Sequence, residues 1–165
     1  MLIASFSRSI FLVVLLGTAG TAYAEGTNVA FGGLKADTTL PVEMNADSLS
    51  INQADGTAIF AGNVLVTQGA MRMTAAEIRV EYSADKKGIE KLYATGKVLI
   101  INATDAAEAD QAIYTIDSGQ VVMTGDVLLT QGQAAMSAEK LILDLKSGTG
   151  RMEGRVTTTF TPGKK

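Results

Sequence analysis

Asp105, Glu108 and Asp110 form the densest acidic cluster in the chain. Carboxylates this close are the raw material of a hard-cation site, because calcium and magnesium are held by oxygen ligands. The stretch lacks the Asp/Asn ladder and pivot glycine of a calcium loop, so a solvated corner is the expectation and no metal is assigned. Lys86 and Lys87 read as an exposed loop tip, and Asn102-Ala103-Thr104 is a glycosylation sequon of a kind common by chance. Composition excludes most other chemistry. The 165 residues contain no Cys, His or Trp, which removes thiol nucleophiles, disulfides, Cys/His zinc sites and imidazole bases. No phosphate-binding loop, dinucleotide fingerprint or Gly-x-Ser-x-Gly elbow occurs; Gly148-Thr149-Gly150 and Gly154 have the wrong spacing and fall at a turn. Carboxylates, Lys, Ser, Thr and Tyr remain, in no constellation that supports an enzyme, and no cofactor is implied.

The chain that carries these residues is 47 % apolar and 19 % charged, a globular composition. Its net charge of −3 argues against nucleic acid and anionic membrane surfaces as partners. Residues 1–24 have the layout of a cleaved secretory signal: Arg8, an apolar run over 10–16, then small residues ending Ala22-Tyr23-Ala24. The uncharged stretch 9–24 falls short of the ~20 residues a spanning helix needs. Cleavage leaves 141 residues with a net charge of 13 − 17 = −4. Export without cysteine suits a bacterial periplasm. Residues 25–37 are Gly-rich and aperiodic and read as a flexible leader, 38–160 as one domain, and 161–165 as a flexible tail.

That domain is a repeat. Residues 63–69 read NVLVTQG and residues 126–132 read DVLLTQG. A glycine followed two residues later by valine recurs at Gly62, Gly96, Gly125 and Gly154, at intervals of 34, 29 and 29. An alanine marker recurs at Ala46, Ala75, Ala109 and Ala138, at intervals of 29, 34 and 29. Both series describe a 29-residue unit with one five-residue insertion, placed in a longer hairpin loop over 83–90. Within each unit the apolar period is two, the signature of half-buried strands. Apolar parity slips by one across each Ala-x-x segment, from Met71 and Met73 to Ile78, for example. An uncorrected slip would turn side chains to the wrong face, so a bend or bulge is expected there, with the glycines at kinks or close crossings. Residues 103–112 have helix-forming composition, but their place in the repeat predicts corner and strand.

The fold expected is therefore all-β: about four stacked antiparallel units whose inner faces form one apolar trough. Its lining is Leu49, Ile51, Phe60, Val64, Val66, Met71, Met73, Ile78, Val80, Met123, Val127, Leu129, Leu141 and Leu143. Met136 and Met152 also face inward, and methionine suits a lining that adapts to an irregular apolar ligand, though plain core is the simpler reading of each. Ser50, Thr67, Arg79, Glu81 and Lys91 face outward. A trough of this kind takes alkyl chains without a charged clamp, since each buried methylene contributes about 0.8 kcal/mol. A structural or interaction module with a solid core is the alternative.

The strings PVEMNAD at 41–47, FAGNVLVTQG at 60–69 and VVMTGDV at 121–127 resemble the LptA, or OstA-like, family of periplasmic bridge proteins of lipopolysaccharide transport. The resemblance runs over residues 41–159. It implies an open, twisted β-jelly roll, V-shaped in section, that shields lipid A acyl chains in its groove. It also implies protomers joined end to end between inner-membrane and outer-membrane components carrying the same domain. Groove positions carried over by the resemblance are Val42, Met44, Tyr114 and Ile116, with Thr38 just upstream.

Overall fold

The computed structural model describes residues 27–30, 32–52, 54, 56–85 and 87–161. The expected signal and residues 162–165 lie outside them. Eleven strands occur among the described residues: β1 (Thr27–Ala30), β2 (Glu43–Asn45), β3 (Ser48–Asn52), β4 (Thr57–Gln68), β5 (Met71–Tyr82), β6 (Ile89–Asn102), β7 (Asp105–Thr115), β8 (Gln120–Gln131), β9 (Ala134–Asp144), β10 (Thr149–Glu153) and β11 (Thr157–Phe160). They form one antiparallel sheet in the order β1-β10-β9-β8-β7-β6-β5-β4-β2, with β3 also on β4 and β11 also on β9. The sheet does not close on itself. From β3 to β10 neighbours in space are neighbours in sequence, as the repeat predicts, because two-residue turns suffice to join β4 to β5 and β8 to β9. The stretch expected to be a corner and strand at 103–112 lies mostly in β7. The insertion forms the loop between β5 and β6, where Ser83 N donates to Gly88 O at 2.9 Å and Ser83 Oγ to Asp85 Oδ1 at 2.6 Å.

Every unit folds back at the same place. Ala61 pairs with Glu77 and Val64 with Ala75, so β4 carries one extra residue. The same excess falls on β6 between Thr95 and Val98, and on β8 between Thr124 and Val127. The extra residue is thus in the glycine strand rather than in the Ala-x-x segment. At these three sites, and again between β10 and β11, a glycine and its successor both have positive φ: Gly62 (80°) and Asn63 (45°), Gly96 (81°) and Lys97 (56°), Gly125 (82°) and Asp126 (42°), Gly154 (80°) and Arg155 (43°). Only glycine accepts the first of these conformations without a Cβ penalty. The opposing Ala strand steps by three residues between inward side chains, Ala75 to Ile78, Ala109 to Ala112 and Ala138 to Leu141. Both halves of each strand therefore keep an apolar face inside, and the kinked sheet makes two walls. The first wall holds the β4 and β6 ends near Gln68 and Asn102; the second holds the β7 and β9 ends near Thr115 and Asp144.

The N-terminal stretch differs from the flexible leader expected over 25–37. β1 pairs with β10, Thr27 opposite Met152. A 3-10 turn spans Gly32–Leu34, and Leu34 is buried in the core. Among the described residues no helix is long and apolar enough to cross a membrane.

Candidate lipid groove

The inner faces of the walls bring most of the expected lining together. Val64, Val66, Met71, Met73, Val127 and Leu129 come from one wall, and Ile78, Val80, Tyr114, Met123, Leu141 and Leu143 from the other; all are buried in a single core cluster. Met136 and Met152 are buried there too. Thr38, Val42, Met44, Phe60 and Ile116 are half-buried. Leu49 and Ile51 are 51 % and 67 % exposed, because β3 is an edge strand with β4 on one side only. Along most of its length the trough is thus filled by its own side chains. Its apolar surface reaches solvent at the β2–β4 end, where Leu49 pairs with Phe60 and Ile51 with Ala58.

Polar side chains also face inward, and the sequence reading missed them. Gln68 and Asn102 are buried, and Gln131 is half-buried. Each sits six residues beyond its kink glycine, Gly62, Gly96 or Gly125. The parity of Val64 and Val66, or of Val98 and Ile100, continued two residues further would have found them. Asp105 lies between the last two, paired with Asn102 on one side and Gln131 on the other. It is 2 % exposed and accepts from Gln131 Nε2 at 3.0 Å and Thr104 Oγ1 at 3.2 Å. Asp105 is therefore not part of a solvated acidic corner: strand alternation sends it inward, while Glu108 and Asp110 point out. No group of three metal-ligating side chains occurs among the described residues.

Gln68 joins the two walls. Tyr114 Oη donates to Gln68 Oε1 at 2.6 Å across the interior. Burial pushes the Tyr114 phenol up to about 12, against the opposing pull of this hydrogen bond. Gln68 Nε2 donates to Thr38 O at 3.1 Å and Leu40 O at 2.8 Å, and Asn102 Nδ2 donates to Lys35 O at 2.6 Å. With its side-chain amide engaged and only 5 % exposed, Asn102 is no glycosylation acceptor in this fold. Residues 33–40 thus run along the ends of the first wall as a strap. They also touch the second wall, where Ala36 N donates to Leu145 O at 2.9 Å. Inside the strap, Asp37 accepts from Thr39 N at 3.0 Å and Thr39 Oγ1 at 2.6 Å, and the hydroxyl contact leads in holding its carboxyl below the usual range.

Comparison with known proteins places this architecture. Residues 43–149 match the family described as LptA/(LptD N-terminal domain) LPS transport protein. An uncharacterised protein of Rhizobium meliloti is 26 % identical over 114 residues, covering 65 % of this chain and 61 % of its own. The lipopolysaccharide export system protein LptH of Pseudomonas aeruginosa is 30 % identical over 92 residues, covering 55 % of this chain and 51 % of its own. The lipopolysaccharide export system protein LptA of Escherichia coli is 27 % identical over 96 residues, covering 54 % of this chain and 52 % of its own. The chain therefore spans about half to three-fifths of these relatives. The crystal structure of LptH, the LptA homologous periplasmic component of the lipopolysaccharide transport device of Pseudomonas aeruginosa, superposes with a TM-score of 0.69 at 19 % identity. That match covers 77 % of this chain and 99 % of the LptH chain, and shows a shared fold. With the family match spanning well over half its length, the chain belongs to the LptA/(LptD N-terminal domain) LPS transport protein family.

Proposed function

We propose that this protein is a non-enzymatic lipopolysaccharide carrier and scaffold of the periplasm. It shields lipid A acyl chains between its two walls and bridges inner- and outer-membrane transport components. The observation that carries this reading is the inner face itself: an apolar lining continuous from β4 to β10, built by four repeated fold-backs, in a chain of the lipopolysaccharide transport family. The exposed Leu49 and Ile51 on β3, and half-buried Val42 and Met44 on β2, offer apolar surface to an alkyl chain at the β4 edge of the sheet. The inward methionines, Met71, Met73 and Met123 among them, have the rotatable thioether chains that repack around an irregular guest. End-to-end assembly follows from the open sheet. Its edges carry unpaired backbone groups and exposed apolar side chains, Ile51 on β3 at one end and Phe160 on β11 at the other. A second copy, or a partner with the same domain in either membrane, extends the sheet by strand addition. No cofactor takes part, and energy for directional movement comes from outside the chain.

A photo-crosslinking amino acid at Val42 or Tyr114 tests the reading: purified protein incubated with lipopolysaccharide should label lipid A from these positions. Labelling confined to outward Glu81 or Lys91 would refute it. The closely packed interior favours one other reading, a solid-core interaction module without lipid. On that reading neither position labels, and Val42→Asp or Ile116→Asp costs stability alone.

A further inference from the structure

We propose that the strap over residues 33–40 is an internal stand-in for the ligand: the inward amides it satisfies, Gln68 and Asn102, are a binding site for acyl carbonyl groups, and a lipid enters by displacing the strap and taking over these bonds. The inference deepens the carrier reading and rests on it.

The first observation is the matching of donors and acceptors. Gln68 and Asn102 are 1 % and 5 % exposed, on the ends of strands β4 and β6. Their side-chain N–H groups are satisfied by three backbone carbonyls of one short segment, Lys35 O, Thr38 O and Leu40 O. A buried amide left without an acceptor is costly, so the strap leaves only if something else brings carbonyl or equivalent oxygens to the same place. Fatty chains joined through esters or amides bring them, at the head of an alkyl chain that continues into the apolar interior.

The second observation is what else the strap holds. Leu34 fills the core at 1 % exposure, the kind of plug an alkyl chain replaces. A Cβ on Gly33 would sit 2.5 Å from the Asp105 carboxyl carbon, so the strap backbone lies flat on the wall's end beside the Asn102–Asp105 pair. Across the gap, Ala36 N reaches Leu145 O. The segment therefore spans from one wall to the other.

The third observation is how lightly the strap is fastened. Apart from Leu34 and Ala36 it contributes no side chain to the core cluster, and Lys35, Asp37 and Thr39 are exposed. Its own turn is closed by Asp37 accepting from Thr39, a local bond that survives displacement.

The absence of native cysteine allows a direct test. A nitroxide is attached at Lys35→Cys, whose side chain is exposed while its backbone carbonyl is held, and spectra are recorded with and without lipid A. Co-elution of radiolabelled lipid A is measured on the same sample. The expected result is conversion of most of the immobilised signal to a mobile one at saturating lipid A. In parallel, a diacyl phosphatidic acid should bind at least tenfold more tightly than its chain-matched dialkyl ether, with Gln68→Leu shrinking that ratio towards one. Lipid A that co-elutes while the label stays immobilised overturns the proposal and leaves the carrier reading standing. Equal binding of ester and ether overturns it as well. Failure of unmodified protein to retain any lipid A removes the carrier reading itself, and the proposal with it.

Discussion

Replacing Tyr114 by Phe removes one oxygen from the interior and leaves Gln68 Oε1 without its donor. Gln68 is 1 % exposed, so the lost partner is not restored by water, and the expected cost near neutral pH is about 1–3 kcal/mol. The pH dependence of that cost is a sharper test. In the folded protein Tyr114 titrates at about 12, whereas an unfolded tyrosine titrates near 10. The folded state holds its proton where the unfolded state has lost it, so the stability contributed by the neutral phenol is complete below pH 10 and is lost as pH climbs towards 12. By pH 11 wild type should have lost about 1.4 kcal/mol that Tyr114→Phe never had, narrowing the gap between the two proteins by that amount. Urea titrations of both proteins at pH 8, 9, 10 and 11 read this directly, because groups titrating elsewhere cancel in the difference. A gap that stays constant from pH 8 to 11 would show that Tyr114 is not held neutral inside the walls, and the cross-wall bond would go with it.

Gly96→Ala should destabilise by about 2–4 kcal/mol: its φ of 81° is costly for an L-residue, and the new Cβ would lie 2.7 Å from Ala76 Cβ, which moves only with its backbone. Gly132→Ala, also at positive φ but with open space around it, should lose about 1–2 kcal/mol, so equal losses at the two glycines would show that the close approach contributes nothing. Met73→Ala, fully buried, should cost about 2–5 kcal/mol by chemical denaturation, and a smaller loss would mean that the interior collapses around the gap. Glu139→Gln removes the exposed 2.8 Å pair with Arg155 and should change stability by less than about 0.5 kcal/mol in a thermal melt.

Much of this architecture was legible in the sequence because the repeat constrains it several times over. Four glycines and four alanines at matched intervals define the fold-backs, and the alternation in Leu141, Leu143 and Leu145 defines which face is inside. The slip in parity was visible at Ala75 and Ile78, but not the strand that absorbs it. That depends on φ values at Gly62-Asn63 and its equivalents, which a pattern of apolar residues does not record. The polar row was overlooked because Gln68 closes a motif that reads as a turn, and turn residues are expected to meet water. The strap was overlooked because it has no period of its own. Leu34 is held by contacts with strands about 70 residues away, and nothing local in a Gly-rich stretch announces them. The filling of the trough is likewise a matter of how far apart two walls settle, which side-chain types alone leave open.

The recurring kink has a consequence for size. Each unit contributes one Ala strand and one Gly strand, folded at the same glycine, so a unit inserted or removed leaves the cross-section as it was. Only the axial length changes, by two strand spacings or roughly 9.6 Å. The protein is in this sense graduated: distance along its axis comes in fixed steps, and adding or removing a unit of about 29 residues changes the span without redesigning a core.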